Sequence, residues 1–269
     1  MPKSKNDKKK THFALHTKSG RQYNSPHIDK AAQLMQRISA DPARHLFQDI
    51  LDARYQKGRK KSVRDIFEAA CEIAATADVT ADCPVFFSST DENRQKAEQY
   101  IYENPQADVI HTTPGGWFLE RLELFNPEVS PLDYALAMMP WYIAALRFAA
   151  ESPGNASIAF IDNSLPISTF RMIEIPALMN NQNQQTLNGY PKAQYSYLFS
   201  DDFENWIKEI EIAVSAHDLL NSKLPLTQTF QSRASKAVQI DQELKYDLLD
   251  FAVKTYVRPL MNAHTPSTP

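Results

Sequence analysis

The chain has few glycines and few cysteines. Only 6 of its 269 residues are glycine, and only Gly115 and Gly116 are adjacent. Neither a Gly-x-Gly-x-x-Gly dinucleotide loop nor a Walker A phosphate loop can be written anywhere, which argues against a Rossmann-type hydride-transfer enzyme. The two cysteines, Cys71 and Cys83, are too few for a disulfide framework or a four-cysteine metal site. We interpret them as ordinary buried thiols.

Strong net charge and long apolar runs are also absent. The formal net charge is −3 and the isoelectric point is about 6.2, which gives no general attraction towards nucleic acid. No apolar run of about 18 residues occurs and no apolar segment follows the lysine-rich start, so we expect neither a transmembrane helix nor a cleaved signal peptide. This start predicts a disordered basic tail over residues 1–27, and a polybasic patch for anionic lipid or nucleic acid is the alternative.

The hydrophobic pattern predicts an α/β protein. With 43% hydrophobic and 10% aromatic residues, the chain can bury a sizeable core, as one domain or as two closely packed lobes. We expect an N-terminal helical lobe packed on a small, mainly parallel sheet with flanking helices, followed by a helical C-terminal extension. The predicted parts are a helical lobe over 28–80 with three short helices, an α/β lobe over 81–200, a helical region over 201–262 with patterns at 203–220 and 238–260, and a tail over 263–269.

Four short apolar segments are predicted to form the sheet. They lie at 85–87, near 109, at 157–162 and at 171–176. Ser62 with Asp65 indicates a capped helix start, and Ser-Ser-Thr-Asp after the first strand indicates another. The segment after residue 178 is polar and rich in asparagine and glutamine, so we interpret it as a loop.

Glu174 is the candidate reactive residue. It follows a helix predicted from Trp141 to Ala149, a Ser-Pro-Gly-Asn break and the third strand. In the predicted fourth strand, Ile173 and Ile175 share one face and Glu174 lies on the other. An ionised carboxylate in an apolar strand is costly unless it is paired, solvated or retained for chemistry. The alternative is a solvent-facing residue of a half-exposed strand.

The order of residues around Glu174 resembles the ADP-ribosyl cyclase and NAD glycohydrolase family. In that family a tryptophan is followed after six residues by Phe-Ala, then by a strand, and Ser-Thr-Phe stands four residues before the catalytic glutamate. The matching positions here are Trp141, Phe148-Ala149, the strand at 157–162, Ser168-Thr169-Phe170 and Glu174.

Other segments extend the resemblance. Two helical packing motifs match at Phe47, Ile50, Leu51, Ala53 and Arg54, and at Ser62, Val63, Asp65 and Phe67. Phe87 and Ser88 stand where the family has a pocket tryptophan and a phosphate-binding serine. Around the site entrance the matching positions are Val109, Ile110, His111, Thr112, Thr113, Gly116, Trp117 and Leu119. On physical grounds alone, a strand followed by exposed amides at a helix start is a plausible anion cradle.

The resemblance implies an NAD glycohydrolase that releases nicotinamide and ADP-ribose, with NAD or NADP as substrate and no cofactor. Glu174 would balance the charge that develops on the ribose, and Trp141 and Phe87 would sandwich the nicotinamide. The diphosphate would be held by Ser88, Thr169 and the Phe170 amide, with Ser168 beside them. His111 replaces the family's second acidic residue and Thr112 the neighbouring aspartate, which puts cyclic ADP-ribose formation second to hydrolysis.

Several alternatives stay open. Phe87, Ser88 and His111 are also explained as a core phenylalanine, a helix-capping serine and a structural histidine. The whole chain is also explained as a non-catalytic nucleotide-binding or interaction protein. The family's animal members are secreted and rich in disulfides, so this chain suits a cytoplasmic or bacterial setting, or an exported effector without a cleavable signal. An NAD-depleting toxin, effector or defence protein would imply an immunity or regulatory partner.

Overall fold

The computed structural model describes residues 41, 43–55, 62–78, 82–87, 91–104, 106–126, 130–158, 169, 173–194 and 240–260. This part of the chain is mainly helical with a small mixed sheet, which confirms the predicted α/β class. The α-helices are α1 Ala43–Tyr55, α2 Val63–Ala74, α3 Asp91–Glu103, α4 Pro114–Leu122, α5 Tyr134–Ala150, α6 Ile175–Asn180 and α7 Gln242–Ala252. A 3-10 helix covers Ile110–Thr112, and a π-helical turn, Val253–Val257, follows α7.

The sheet has five short strands in the order β2-β1-β3-β4-β5 among the described residues. The strands are β1 Cys83–Phe86, β2 Ala107–Asp108, β3 Asn155–Ile158, β4 Thr186–Leu187 and β5 Tyr190–Pro191. Three of the four pairings are parallel, and β4 pairs with β5 antiparallel. Three of the predicted strands therefore exist within a few residues of their expected positions.

The predicted strand at 171–176 is wrong. Ile173 and Glu174 form a π-helical turn that runs directly into α6, with Pro176 in the first turn of the helix. Proline fits there because the first backbone N–H groups of a helix have no intrahelical acceptor. The alternation of isoleucines that indicated a strand instead buries Ile173 and Ile175 in the main core.

The fourth strand lies in the stretch that was expected to be a loop. Strands β4 and β5 form a hairpin whose two connecting residues, Asn188 and Gly189, both have positive φ, 53° and 77°. Asparagine and glycine tolerate this left-handed conformation best, and the Asn-Gly pair is a strong sequence signal for such a turn. The hairpin was thus detectable from the sequence.

The sheet separates two hydrophobic clusters. Phe86 points into the main core, which includes residues of α1, α2, α4, α5, α6 and α7. Its neighbours Val85 and Phe87 point to the opposite face, where they pack with Ala97 and Ile101 of α3. This alternation is the two-residue period of a strand. The main core runs from the N-terminal helices to α7 without a break.

Helix α5 is longer than the sequence pattern indicated. It begins at Tyr134, because the Asp133 carboxylate accepts a hydrogen bond from the backbone N–H of Leu136 at 3.0 Å and so caps the helix. It continues through Pro140 and ends at Ala150, where the predicted Ser-Pro-Gly-Asn break follows. Asp133 also pairs with Lys245 of α7, whose side chain is 2% exposed.

Helix α2 has the predicted start. Ser62 and Asp65 form a reciprocal capping box, with both hydrogen bonds at 3.1 Å. Several other predictions fall outside the described residues: the basic tail over 1–27, the first of the three N-terminal helices, the helix at 203–220 and the tail over 263–269. None of the helices in the described ranges is long and apolar enough to cross a bilayer.

Gly116 is expected to tolerate no side chain. A Cβ atom there would lie 1.9 Å from the carbonyl oxygen of Ile110, and backbone cannot move aside cheaply. We predict that Gly116→Ala lowers the free energy of unfolding by about 3 kcal/mol or more, measured by urea denaturation. Gly154→Ala is the matched control, because its Cβ would meet only an ordinary 3.6 Å contact with Asn183. Equal stabilities of the two variants would contradict this account of the α4 start.

Candidate functional site

Three predicted site residues contact one another in series. The ring centroids of Phe87 and His111 are 5.8 Å apart, and those of His111 and Trp141 are 5.4 Å apart. These residues come from the end of β1, the 3-10 helix and α5. The imidazole therefore bridges the two aromatic rings that were expected to sandwich a nicotinamide. Phe87 is 6% exposed and packs in the smaller cluster, whereas Trp141 is only partly buried.

His111 is held as a neutral imidazole. Burial, with the Arg94 guanidinium adding to it and Glu120 opposing it, lowers the pKa of His111 to about 4. Its Nδ1 atom is buried, and the described part of the chain offers it no hydrogen-bond partner. At neutral pH the ring therefore adds no positive charge to the aromatic series.

Arg94 and Glu120 were not predicted as site residues. Arg94 lies on α3 and Glu120 on α4, and their side chains form an ion pair that is mostly buried. Burial opposes ionisation of Glu120, but His111, Arg94 and Arg121 together hold its pKa below the ordinary value. The sequence has no signal for this pair, because each residue reads as one charge on an amphipathic helix.

Glu174 is buried rather than solvent-facing. It is 7% exposed and lies in the π-helical turn that leads into α6. Burial raises the pKa of its carboxyl group to about 8, and none of the described residues gives it a hydrogen bond or an ion pair. The alternative of a solvated strand residue is therefore wrong. Single π-helical turns are rare and are often found at functional sites.

Glu174 and Trp141 belong to helices that pack on each other. Glu174 directly precedes α6, which packs against α5, the helix that carries Trp141. Ile173 and Ile175, on either side of Glu174, lie in the same core against which Trp141 packs. Glu174 thus lies at the start of a helix that packs on α5, and not on a strand of the sheet.

The hydroxyl groups of Thr112 and Thr113 serve the local backbone. Thr112 Oγ1 donates to the Asp108 carboxylate and accepts from the N–H of Val109 at 3.1 Å. Thr113 Oγ1 donates to the carbonyl of Ile110 at 2.6 Å and accepts from the N–H of Gly116 at 3.1 Å. These bonds cap the 3-10 helix and α4, so both threonines have a structural role.

The prediction of an anion cradle made of exposed amides at the start of α4 is wrong, because this helix start is buried. Pro114, Gly115 and Gly116 are buried, and a Cβ on Gly115 would lie 2.6 Å from the backbone nitrogen of Ala77. The two glycines allow the close approach of α4 to α2 and the 3-10 helix. The sequence indicated the start of α4 correctly, but it did not indicate that the end of α2 and the 3-10 helix pack over that start.

The remaining predicted residues are only partly described. Thr169 is partly buried, whereas Ser88, Ser168 and Phe170 lie outside the described residues. In the described ranges, no group of three or more histidine, cysteine, aspartate or glutamate side chains is arranged to hold a metal ion. Cys71 is buried and Cys83 is partly buried, and both are free thiols.

In comparisons with known proteins, no protein-family model, no curated protein and no solved structure matches the chain. The likeness to ADP-ribosyl cyclases and NAD glycohydrolases therefore depends on the residues quoted above, and membership of that family stays a prediction.

The stability of the protein is expected to fall between about pH 4.5 and pH 8 because of Glu174. Its carboxyl has a pKa of about 8 when folded and 4.5 ordinarily, so the folded state holds the proton more tightly. The resulting stabilisation is complete below about pH 4.5 and is lost as pH rises to about 8. His111 acts in the opposite sense, because stability is lost as pH falls from 6.5 to about 4.

Between pH 6.5 and 8.5 the folded protein titrates Glu174 but not His111, because their pKa values are about 8 and about 4. We predict that the free energy of unfolding of the wild type falls by about 2 kcal/mol more across this interval than that of Glu174→Gln. Glu243→Gln removes an exposed carboxylate at the start of α7 and should follow the wild type. Parallel curves for all three proteins in urea denaturation would show that Glu174 is not a buried acid.

Proposed function

We propose that the protein hydrolyses the nicotinamide–ribosyl bond of NAD or NADP and releases nicotinamide and the ADP-ribose product. The observation that carries the proposal is Glu174, a buried carboxylate without a cation among the described residues, next to the helix that presents Trp141. A buried carboxyl of this kind is costly in an empty site and becomes favourable when a cationic ligand binds beside it.

The reaction needs electrostatic stabilisation more than proton transfer. The bond between the ribose C1′ and the pyridinium nitrogen breaks heterolytically, and the electron pair leaves with a neutral nicotinamide. The ribose is left with oxocarbenium character, which an ionised Glu174 would stabilise. A water oxygen then bonds to C1′ and releases a proton, so that the products are nicotinamide, ADP-ribose and H⁺. No strong general acid is required.

The raised pKa of Glu174 suits a cationic substrate. In the free protein near neutral pH the carboxyl is largely protonated, since its pKa is about 8. The positive pyridinium of NAD would favour the ionised form, because an opposite charge nearby lowers the pKa of a carboxyl. Ionisation would thus accompany substrate binding. For the free enzyme, kcat/KM is expected to rise with pH up to about 8.

The aromatic series would support the leaving group from one side. Trp141 is partly buried and keeps surface for stacking on a pyridinium ring, while His111 and Phe87 lie behind it. A protonated His111 would repel the substrate cation, and its lowered pKa prevents this at neutral pH. Diphosphate binding by Ser88, Thr169 and the Phe170 amide stays part of the proposal.

The direct test is incubation of the purified chain with NAD and NADP, with separation of nicotinamide, ADP-ribose and cyclic ADP-ribose. Nicotinamide and ADP-ribose in equal amounts would support hydrolysis. Cyclic ADP-ribose as the main product would favour the cyclase alternative. Binding of NAD without turnover would favour a non-catalytic nucleotide-binding protein, and an active enzyme would give reason to look for an immunity or regulatory partner.

Glu174→Gln is predicted to lose activity and keep substrate affinity. Glutamine preserves the size and hydrogen bonding of the side chain but removes its charge. Losing such an electrostatic contact typically lowers kcat about 100- to 1,000-fold, and the dissociation constant for NAD should change much less. The control is Glu243→Gln, which should retain the wild-type rate. Equal rates in folded wild type and Glu174→Gln would remove Glu174 from the mechanism.

Trp141→Ala is predicted to raise KM and lower kcat while the protein stays folded, because stacking positions the leaving group. Trp141→Phe keeps an aromatic face and should restore most of the activity. Circular dichroism and steady-state kinetics on both variants provide the measurement. Loss of the helical signal in Trp141→Ala would show that this side chain is needed for folding rather than for substrate.

A further inference from the structure

Two buried amide side chains join the ends of α5 and α6. Asn181, which directly follows α6, is fully buried, and its Nδ2 donates to the carbonyls of Ala149 at 3.2 Å and Ser152 at 2.9 Å. Gln184 is 1% exposed, and its Oε1 accepts a hydrogen bond from the Ser152 hydroxyl at 2.9 Å. The Ala149 carbonyl in the last turn of α5, which also accepts the N–H of Ser152 at 3.3 Å, and the Ser152 carbonyl just beyond the helix thus receive a donor from the segment after α6.

Lys192, which directly follows β5 of the hairpin, binds the C-terminal end of α6. Its Nζ donates to the carbonyl of Met179 at 3.0 Å and to the carbonyl of Asn181 at 2.7 Å. A cation beside the last carbonyls of a helix is favourable. We name Asn181, Gln184 and Lys192 the C-terminal clip, because they connect the C-terminal ends of α5 and α6.

Trp141 and Glu174 lie at similar sequence separations from the residues that the C-terminal clip joins. Trp141 lies eight residues before Ala149, and Glu174 lies seven residues before Asn181. At 1.5 Å per residue these separations are about 12 Å and about 10 Å along the two packed helices. Both candidate residues therefore lie on the N-terminal side of the anchor that joins the two helix ends.

The stability and direction of helix α6 depend more on the hydrogen bonds of the C-terminal clip than those of a longer helix would. It has only six residues, and helices so short have little stability of their own. Its direction is therefore set by the buried contacts along α5 and by the bonds at its C-terminal end. Glu174 is at the other end, where a small rotation of α6 would move its carboxyl most.

We propose that Asn181 is a positioning residue for Glu174, which holds α6 against α5 through the C-terminal clip and so fixes the carboxyl in its buried location. This inference rests on the proposed function, because positioning matters for catalysis only if Glu174 acts on substrate. The location of the carboxyl can nevertheless be measured without any substrate.

The first measurement follows the ionisation of Glu174 in Asn181→Ala and Lys192→Met. Glutamate labelled with ¹³C at the carboxyl is titrated by NMR, and the Glu174 resonance is identified by its absence from Glu174→Gln. We expect the pKa to fall from about 8 towards 4.5, by about one unit or more, because the released carboxyl meets water.

Three controls separate this effect from general loosening. Asn180→Ala removes an exposed amide from the neighbouring position on α6, and Lys192→Arg keeps a donor near the carbonyls. Ile50→Ala deletes a fully buried side chain in α1 and lowers stability elsewhere in the core. The Glu174 pKa should stay near its wild-type value in all three.

The second measurement is NAD hydrolysis by the same variants. Asn181→Ala and Lys192→Met should lower kcat about 10-fold or more with a smaller change in KM, since misplacement of a reacting group by about 1 Å has effects of this size or larger. Lys192→Arg should restore most of the rate, and Asn180→Ala should match the wild type.

The outcomes are distinct. An unchanged Glu174 pKa in folded Asn181→Ala and Lys192→Met would overturn the positioning role, whatever the activity. A shifted pKa in a protein whose wild type does not cleave NAD would support the C-terminal clip and reject the proposed function. If Asn181→Ala fails to fold, Lys192→Met with its arginine control decides the question.

Discussion

The burial of helix α5 on nearly all its faces is the constraint on which the rest of the structure depends. Eleven of its seventeen residues are buried, so neighbouring elements must cover it almost completely, and α2, α4, α6 and α7 all pack against it. Both ends are fixed as well. Asp133 caps the start and pairs with Lys245, and the Asn181 side chain donates to the Ala149 carbonyl in the last turn. Trp141 keeps some exposure on a helix that otherwise has little freedom to move.

Two titratable side chains near this helix are both held in their neutral forms near pH 7. Burial raises the pKa of Glu174 to about 8 and, with Arg94 adding to it, lowers the pKa of His111 to about 4. Both shifts favour the neutral form, as burial does for any isolated ionisable group. Near neutral pH His111 therefore adds no positive charge beside Trp141, and Glu174 is largely protonated.

Local patterns in the sequence predicted much of the fold. The capping box at Ser62, the helix through Trp141 and strands close to the predicted positions 85, 109 and 157 could be read from spacing and turn residues. The strand assigned to Glu174 was wrong, because a short run with apolar residues two apart does not distinguish a strand from a π-helical turn that enters a helix. The Asn188-Gly189 hairpin had a clear signal that the polar composition of its surroundings concealed.

The sequence by itself determined the α/β class, the candidate carboxylate at Glu174 and the aromatic candidates Phe87 and Trp141. Tertiary structure alone decided that Glu174 is buried without a cation among the described residues, that His111 bridges the two aromatic rings, and that the start of α4 is covered by packing. The physical reason is that hydrophobic spacing and caps are local properties of a few residues, whereas burial, and with it the pKa of a side chain, depends on segments far apart in the chain.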